Sequence, residues 1–273
     1  VEALVASKER TGLPLSLCVQ NAKNATERAY RIQKLLTEKF HTQKVTLSMQ
    51  SVNPGTLENI RRSNISSDSY RDLQQRFARD GVYTYTDLIL GLPGETYADF
   101  ADGISNLVAD GQHNQLVIYN CSVLPNAELG DPAYLERFGI ETVPEIMRDA
   151  FEPADRANEV EEYIDTVVAT AAMPSADWVR ARVFAWLADL FYFDRLLQLP
   201  FALLVTRNGL RLRGLVEHLA RSERPVLAGL NVLLTEHARA MTAGAIRWRL
   251  NVPTGHRRAL VWPAPRPVTA PAP

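Results

Sequence analysis

One continuous stretch combines a strand, a tight turn and a helix start: Thr84-Tyr85-Thr86-Asp87-Leu88-Ile89-Leu90-Gly91-Leu92-Pro93-Gly94-Glu95-Thr96. The apolar run over 82–90 predicts a buried strand. Two glycines and a proline then predict a turn, and Thr96 with Asp99 three residues later predicts a capping box that begins a helix. A strand, a turn and a helix in this order form the repeating unit of a parallel sheet covered by helices.

The same unit recurs on both sides of this stretch. Further strands are predicted over 13–19, 45–50 and 115–121, and helices over 25–36, 57–60 and 66–81. Strands that alternate with helices predict an α/β fold with a parallel sheet. Four strands do not close a barrel, so the pattern fits either a small open sheet or part of a β/α barrel whose earlier strands are absent.

The pattern changes after about residue 130, where helical spacing replaces the alternation. Helices are predicted over 159–167, 178–191, 210–220 and 226–240. The last residues are rich in proline and alanine, a composition that cannot pack a core and predicts an extended or disordered tail. We therefore expect a β/α region over 1–130, a helical domain over 131–250 and the Pro/Ala-rich tail over 251–273.

Composition excludes several classes of protein. The 273 residues carry 30 Lys and Arg against 31 Asp and Glu, which gives no general reason to expect nucleic acid or an anionic membrane as a partner. The most apolar stretch, 183–205, is interrupted by charged residues and a proline, so no transmembrane segment is expected. Two cysteines, Cys18 and Cys121, cannot form a disulfide framework and favour a reducing compartment, which we take to be the cytoplasm. The chain begins at Val1 without an initiator methionine or a signal sequence, and we expect it to be part of a longer product.

Polar side chains lie where two of the predicted strands end. Gln50 and Ser51 follow the second strand, and Tyr119, Asn120 and Cys121 close the fourth. Because ligands bind at the carboxyl ends of parallel strands, these are candidate site residues. An ordinary polar turn explains Gln50 and Ser51 equally well, and a lone cysteine such as Cys121 is more often a small buried residue than a nucleophile.

Asp87 places a carboxylate inside an otherwise apolar strand. A buried charge without a partner costs several kcal/mol, so Asp87 requires either a ligand or an ion pair, for which Arg62 is the candidate. Gly91 and Gly94 allow the backbone to turn tightly and to approach a ligand. Glu95 either contributes to such a site or simply suits the positive end of the following helix.

Together these segments resemble one enzyme family, the radical S-adenosylmethionine enzymes, and within it the subgroup with an N-terminal cobalamin-binding domain. The resemblance rests on Gln50-Ser51, Arg62, Asp87, the turn over 91–96, and the longer segments 47–127 and 169–174. It covers roughly residues 10–190 and corresponds to the second part of such an enzyme.

The resemblance implies a partial β/α barrel and a radical reaction. In this family a [4Fe–4S] cluster donates one electron to bound S-adenosylmethionine, and the resulting 5′-deoxyadenosyl radical leads to modification of an unactivated carbon, by methyl transfer or rearrangement. The implied partners of the full-length enzyme are cobalamin, a small-molecule or lipid-like substrate, and an electron donor such as flavodoxin or ferredoxin.

The resemblance also implies roles for individual residues. The implied contacts to S-adenosylmethionine are made by Gln50, Ser51, Arg62 and Asp87, with Gly91, Gly94 and Glu95 bordering the adenine, and with Tyr119, Asn120 and Cys121 facing the substrate. Arg62 suits the carboxylate of the cofactor through a bidentate contact, and Asp87 suits the ribose hydroxyls.

The sequence departs from the family at the cluster site. The family's three ligands lie in a C-x3-C-x2-C loop, which is absent here, and two cysteines are too few for such a cluster. We therefore expect a fragment that is inactive alone. Two alternatives stay open: a cluster-less α/β module that binds a ligand or a partner, and an unrelated α/β enzyme that uses Asp87 and Glu95 as acid and base.

Overall fold

Two small sheets and a series of helices make up the computed structural model, which describes residues 1–17, 19, 26–40, 44–147 and 162–245. The strands are β1 (Val45–Thr46), β2 (Thr84–Leu90), β3 (Gln115–Asn120), β4 (Ser122–Val123), β5 (Glu141–Met147) and β6 (Glu162–Ala169). The helices are α1 (Glu2–Thr11), α2 (Thr26–Phe40), α3 (Pro54–Asn59), α4 (Ser67–Arg79), α5 (Tyr97–Ala109), α6 (Pro132–Phe138), α7 (Ser175–Ala188), α8 (Gln198–Asn208), α9 (Leu212–Ala220) and α10 (Pro225–Thr242).

The first sheet is parallel, with the strand order β1-β2-β3. Strand β2 lies in the middle and pairs with β3 from Tyr85 beside Gln115 to Leu90 beside Asn120. The predicted capping box opens α5: the Thr96 hydroxyl accepts from the Asp99 N–H at 3.1 Å, and the Asp99 carboxylate accepts from the Thr96 N–H at 3.1 Å. The α/β fold with a parallel sheet is thus confirmed, and the three strands form an open sheet.

The second sheet is antiparallel, with the order β4-β6-β5. It corrects the helix predicted over 159–167, because residues 162–169 form β6. Ile164, Thr166, Val167 and Val168 are β-branched and favour a strand, and β5 supplies the hydrogen-bonding neighbour that a strand requires. The helical spacing in this segment is therefore coincidental, and the region after residue 130 is not helical throughout.

The strand predicted over 13–19 is also wrong for the described residues, which form no strand there. Leu13 and Leu15 are 59% and 76% exposed, and Pro14 has no N–H to give to a ladder. Leu17 and Val19 instead pack beside the buried side chains of α1 and α2. Cys18 and the predicted tail over 251–273 lie outside the described residues.

One apolar core joins the parallel sheet to the later helices. Leu88 and Leu90 of β2 and Ile104 of α5 contribute to it, together with Trp178 of α7 and residues of α9 and α10. The predicted helices of the last third are present as α7, α9 and α10. Leu88 and Leu90 thus lie on the buried face of the parallel sheet, and the residues that alternate with them along β2 belong to the site described next.

Candidate functional site

The parallel sheet has one covered face and one open face. Along β2 the side chains of Thr84, Thr86, Leu88 and Leu90 are buried, whereas those of Tyr85, Asp87 and Ile89 are only half-buried. The neighbouring β3 places Val117 beside Asp87 and Tyr119 beside Ile89. We call Tyr85, Asp87, Ile89, Val117 and Tyr119 the open face. Parallel sheets are normally covered on both sides, so a partly polar open face is a candidate binding surface.

Arg62 and Tyr119 are both electrostatically coupled to Asp87. Burial lowers the pKa of Arg62, and the negative charge of Asp87 opposes that shift. Burial also raises the pKa of Tyr119 to about 12, and Asp87 and Tyr85 add to this shift. The predicted proximity of Arg62 and Asp87 therefore holds.

Arg62 also braces the loop that follows β1. Its Nη2 donates to the Ser48 carbonyl at 2.9 Å, and its Nε donates to the Asn64 side-chain oxygen at 2.9 Å. Asn64 in turn donates to the carbonyls of Met49 at 2.8 Å and Ser51 at 2.7 Å. Asn64 is a site residue that sequence reasoning missed. Its only local signal is its position two residues after Arg62, in the link between α3 and α4.

Gln50 lies at the centre of the braced loop in a left-handed conformation, with φ of 59°. Its N–H donates to the Asp87 carbonyl at 2.9 Å, and its carbonyl accepts from the Ile89 N–H at 2.8 Å. A non-glycine residue in this conformation costs about 1 kcal/mol or more and persists only where its surroundings hold it. The Arg62–Asn64 brace and the β2 backbone together hold Gln50 at the carboxyl end of the sheet.

Glu95 is buried against Ser51 on the other side of the same loop. The Ser51 hydroxyl donates to Glu95 Oε1 at 2.5 Å, and the two residues are 1% and 2% exposed. Burial raises the pKa of Glu95 from 4.5 to about 8, so the carboxyl is largely neutral at pH 7. Glu95 Oε2 has no hydrogen-bond partner among the described residues. Glu95 therefore fixes the loop from a buried position and does not face the same solvent-accessible surface as Asp87.

The two glycines of the turn are explained by contacts with protein atoms. Gly91 has φ of 92°, and a Cβ there would lie 3.3 Å from Trp178 Nε1. Gly94 has φ of 81°, and a Cβ there would lie 2.3 Å from the side-chain nitrogen of Asn59. Both positions therefore require glycine for the fold, independently of any ligand.

Asn120 and Cys121 lie where β3 ends. Cys121 is 4% exposed, and burial, with a contribution from Glu95, raises the pKa of its thiol to about 12. Such a thiol stays protonated and is neither a nucleophile nor a ready metal ligand. The Asn120 Oδ1 atom is buried and has no hydrogen-bond partner in the described part of the chain. It is an acceptor that a bound polar group could satisfy.

The structure thus sorts the predicted residues into two groups. Gln50, Arg62, Asp87 and Tyr119 meet around the carboxyl end of β1 and the open face. The others are buried in the supporting structure or at its edge: Ser51, Gly91, Gly94, Glu95, Asn120 and Cys121. The acid and base pairing of Asp87 with Glu95 is not supported, because Glu95 is buried against Ser51.

Neither a metal centre nor a membrane span is found in the described ranges. Among these residues no group of three His, Cys, Asp or Glu side chains could hold a metal ion. Their donor set does not fit a [4Fe–4S] cluster, because Cys121 is the only described cysteine and is buried and protonated. No described helix is both long and apolar enough to cross a bilayer.

The neutral state of Glu95 gives a testable pH dependence. Its pKa is higher in the folded than in the unfolded chain, so the folded chain retains a proton that the unfolded chain releases. The resulting stability is complete below about pH 4.5 and is lost as the pH rises toward 8, by on the order of a few kcal/mol. Glu95→Gln should remove this slope, as measured by urea unfolding at a series of pH values. The control is Glu236→Gln, at an exposed position of α10, which should retain it. Equal slopes for the unmodified chain and Glu95→Gln would contradict a buried neutral acid.

Comparison with known proteins gives relatives over about two thirds of the chain. No family model matches the chain. It is 41% identical over 179 residues to the cobalamin-dependent radical SAM methyltransferase TokK of Streptomyces tokunonensis, covering 66% of this chain and 26% of that protein. It is 38% identical over 179 residues to the 2-(S-pantetheinyl)-carbapenam-3-carboxylate methyltransferase of Streptantibioticus cattleyicolor, covering 65% of this chain and 26% of that protein.

Solved structures give a weaker likeness. The radical S-adenosylmethionine methyltransferase TsrM of Kitasatospora setae, with tryptophan substrate and a SAM analog bound, matches with a TM-score of 0.44 at 14% identity, over 70% of this chain and 41% of that one. The chain spans about a quarter of the length of the curated relatives it matches. Over 179 residues this chain is thus homologous to a segment of a cobalamin-dependent radical SAM methyltransferase.

Proposed function

We propose that the chain is the carboxyl-terminal segment of a cobalamin-dependent radical SAM methyltransferase, and that its parallel sheet is one part of the enzyme's partial β/α barrel. The identity of 41% to such a methyltransferase over 179 residues carries this proposal. The open face supports it, because a three-stranded parallel sheet with one uncovered, partly polar side suits the inner wall of a larger barrel. Methyl transfer replaces rearrangement as the proposed reaction, since both curated relatives are methyltransferases.

Residues around the open face fit S-adenosylmethionine. In such an enzyme the cofactor supplies the methyl group and the radical chemistry. We propose that Arg62, with Nη1 outside its two hydrogen bonds, binds the cofactor's carboxylate, and that Asp87 accepts from its ribose hydroxyls. Gln50 borders the same position from its strained loop. Ser51 and Glu95 act indirectly, because the hydrogen bond between them fixes that loop.

In this proposal the substrate binds beside Tyr119 and Asn120. Tyr119 is a neutral phenol near Asp87, and Asn120 holds an unsatisfied buried acceptor. Both suit a small polar molecule. One relative is named for 2-(S-pantetheinyl)-carbapenam-3-carboxylate, and we propose a small-molecule carboxylate of this general kind as the substrate class. The [4Fe–4S] cluster, cobalamin and the flavodoxin-type or ferredoxin-type donor would be held by other parts of the enzyme.

The proposal is tested first on the coding DNA upstream of the Val1 codon. It predicts an in-frame C-x3-C-x2-C loop preceded by a cobalamin-type domain. The longer protein should transfer a methyl group from S-adenosylmethionine and release S-adenosylhomocysteine, measured by mass spectrometry of anaerobic reactions. A complete short gene without that loop would contradict the proposal.

Asp87→Asn provides the residue-level test in that longer protein. The amide keeps the shape but loses the charge, so we expect about a tenfold or greater loss of S-adenosylmethionine affinity by calorimetry. The matched control is Asp68→Asn, because Asp68 is exposed on α4. Asp131 would not serve, because its side chain caps α6. An Asp87→Asn protein that binds as tightly as Asp68→Asn would exclude Asp87 from the site.

The cluster-less binding module is the second candidate, favoured by the lack of cluster ligands among the described residues. It predicts that this chain alone binds S-adenosylmethionine as tightly as the longer protein does. The enzyme proposal predicts a much weaker affinity for the isolated chain, because the open face is then only one wall of the site. Calorimetry on the two proteins separates these outcomes.

A further inference from the structure

A second concave site lies among the helices, apart from the open face. This cleft has a volume of about 550 Å³ and lies between the start of α5, the first three turns of α7 and the helices α9 and α10. We call it the arginine cleft, because Arg180, Arg221 and Arg239 contribute to its lining. None of its lining residues belongs to the set that the radical enzyme proposal uses.

The floor of the arginine cleft is apolar. Val179, Val183 and Phe184 of α7 line it and are buried. Tyr97 lines the wall beside them, with the Arg180 guanidinium 4.2 Å from the centre of its ring. A cavity with an apolar floor and a few charged groups at its rim has the composition of sites that bind small organic molecules.

The rim has more positive than negative charge. Arg180 pairs with Asp177 at 2.8 Å, and Arg221 pairs with Glu217 at 2.9 Å. Arg239 forms no ion pair with any residue in the described ranges. The rim thus has three guanidinium groups and two carboxylates that pair with them. Each guanidinium group keeps several N–H donors outside these ion pairs.

Glu217 does not compete for these spare donors. It already accepts from the Tyr97 hydroxyl at 2.8 Å and from Arg213 at 2.9 Å, in addition to Arg221. The first turn of α7 adds further donors, because Ser175 and Ala176 line the cleft and no side chain caps this helix. The lining as a whole therefore favours an anion placed beside an apolar group.

We propose that the arginine cleft binds an organic phosphate, with the phosphate at the arginine rim and the carbon portion on the Val179–Phe184 floor. A phosphate is favoured over a carboxylate because it offers three oxygens and up to two charges, enough to engage several guanidinium groups that already have carboxylate neighbours. Because this site is separate from the open face, the phosphate proposal does not depend on the proposed methyltransferase function.

Calorimetric titration of this chain with phenyl phosphate tests the proposal. We expect saturable binding, with inorganic phosphate and benzoate binding more weakly because each lacks one of the two recognised features. Arg239→Gln should weaken phenyl phosphate binding about tenfold, the size of one lost charge-assisted hydrogen bond. The double change Arg221→Gln with Arg239→Gln should abolish it.

Arg207→Gln is the matched control, since Arg207 is exposed on α8 and does not line the cleft. It should leave phenyl phosphate affinity unchanged, and thermal unfolding should show that all variants stay folded. An equal loss in Arg207→Gln would mean non-specific charge attraction and would overturn the site. No saturable binding to the unmodified chain, or benzoate binding as tight as phenyl phosphate, would overturn it as well.

Discussion

Trp178→Ala is expected to lower the free energy of unfolding by about 3–5 kcal/mol, the usual cost of removing a large buried aromatic side chain. Trp178 is fully buried at the start of α7. Its indole nitrogen faces Gly91, at 3.3 Å from the position a Cβ would take there. The side chain therefore locks α7 onto the turn that follows β2. Urea unfolding of this chain measures the effect.

Trp178→Phe is the matched control for this prediction. It keeps an aromatic ring in the core and removes mainly volume, because Trp178 Nε1 has no hydrogen-bond partner among the described residues. We therefore expect a clearly smaller loss than for alanine. A loss of less than about 1 kcal/mol in Trp178→Ala would mean that the side chain is not packed between α7 and the sheet.

Local signals in the sequence were sufficient for the elements around β2. Thr96 and Asp99 are three residues apart, so their capping box depends on nothing outside one helix turn. Ser66 caps α4 in the same way, by accepting from the Ser69 N–H at 3.2 Å. Where a side chain's hydrogen-bond partner lies within one helical turn of it, the sequence pattern predicts the geometry directly.

The segments that were mispredicted depend on distant partners. Residues 162–169 form a strand because β5 and β4 lie beside them, and the spacing of apolar residues alone could not distinguish that strand from a helix. The apolar residues of 13–19 predicted a strand, but among the described residues no neighbour is available to pair with them. The presence of a pairing strand in the first case, and its absence in the second, overrides the pattern of apolar residues.

The candidate site likewise combines residues that the sequence predicts with contacts that it does not. The Gln50, Arg62 and Asp87 positions were predicted, and the structure brings them together at one end of the sheet. The bond between Ser51 and Glu95 joins residues 44 apart in sequence, and the Asn64 brace depends on a loop that no local pattern specifies. Supporting contacts of this kind arise from the folded chain and have no signature in a single sequence.

Arg62→Ala should have the largest effect on the proposed cofactor site. In the longer protein we expect S-adenosylmethionine affinity to fall by about a hundredfold, because the change removes the group proposed for the cofactor's carboxylate and a positive charge that interacts with Asp87. It also removes two hydrogen bonds from the braced loop, to Ser48 and Asn64. In this chain alone the free energy of unfolding should fall by about 1–3 kcal/mol, with the fold retained.

Asn64→Ala separates the two roles of Arg62. It releases the Met49 and Ser51 carbonyls and removes the acceptor of Arg62 Nε, but it keeps the guanidinium itself, so it should cost comparable stability but much less affinity. Arg79→Ala, at an exposed position of α4, controls for the loss of one positive charge. If Asn64→Ala lowers affinity as far as Arg62→Ala does, then Arg62 acts only by holding Gln50 in place. Unchanged affinity in Arg62→Ala, measured by calorimetry, would exclude Arg62 from the proposed cofactor site.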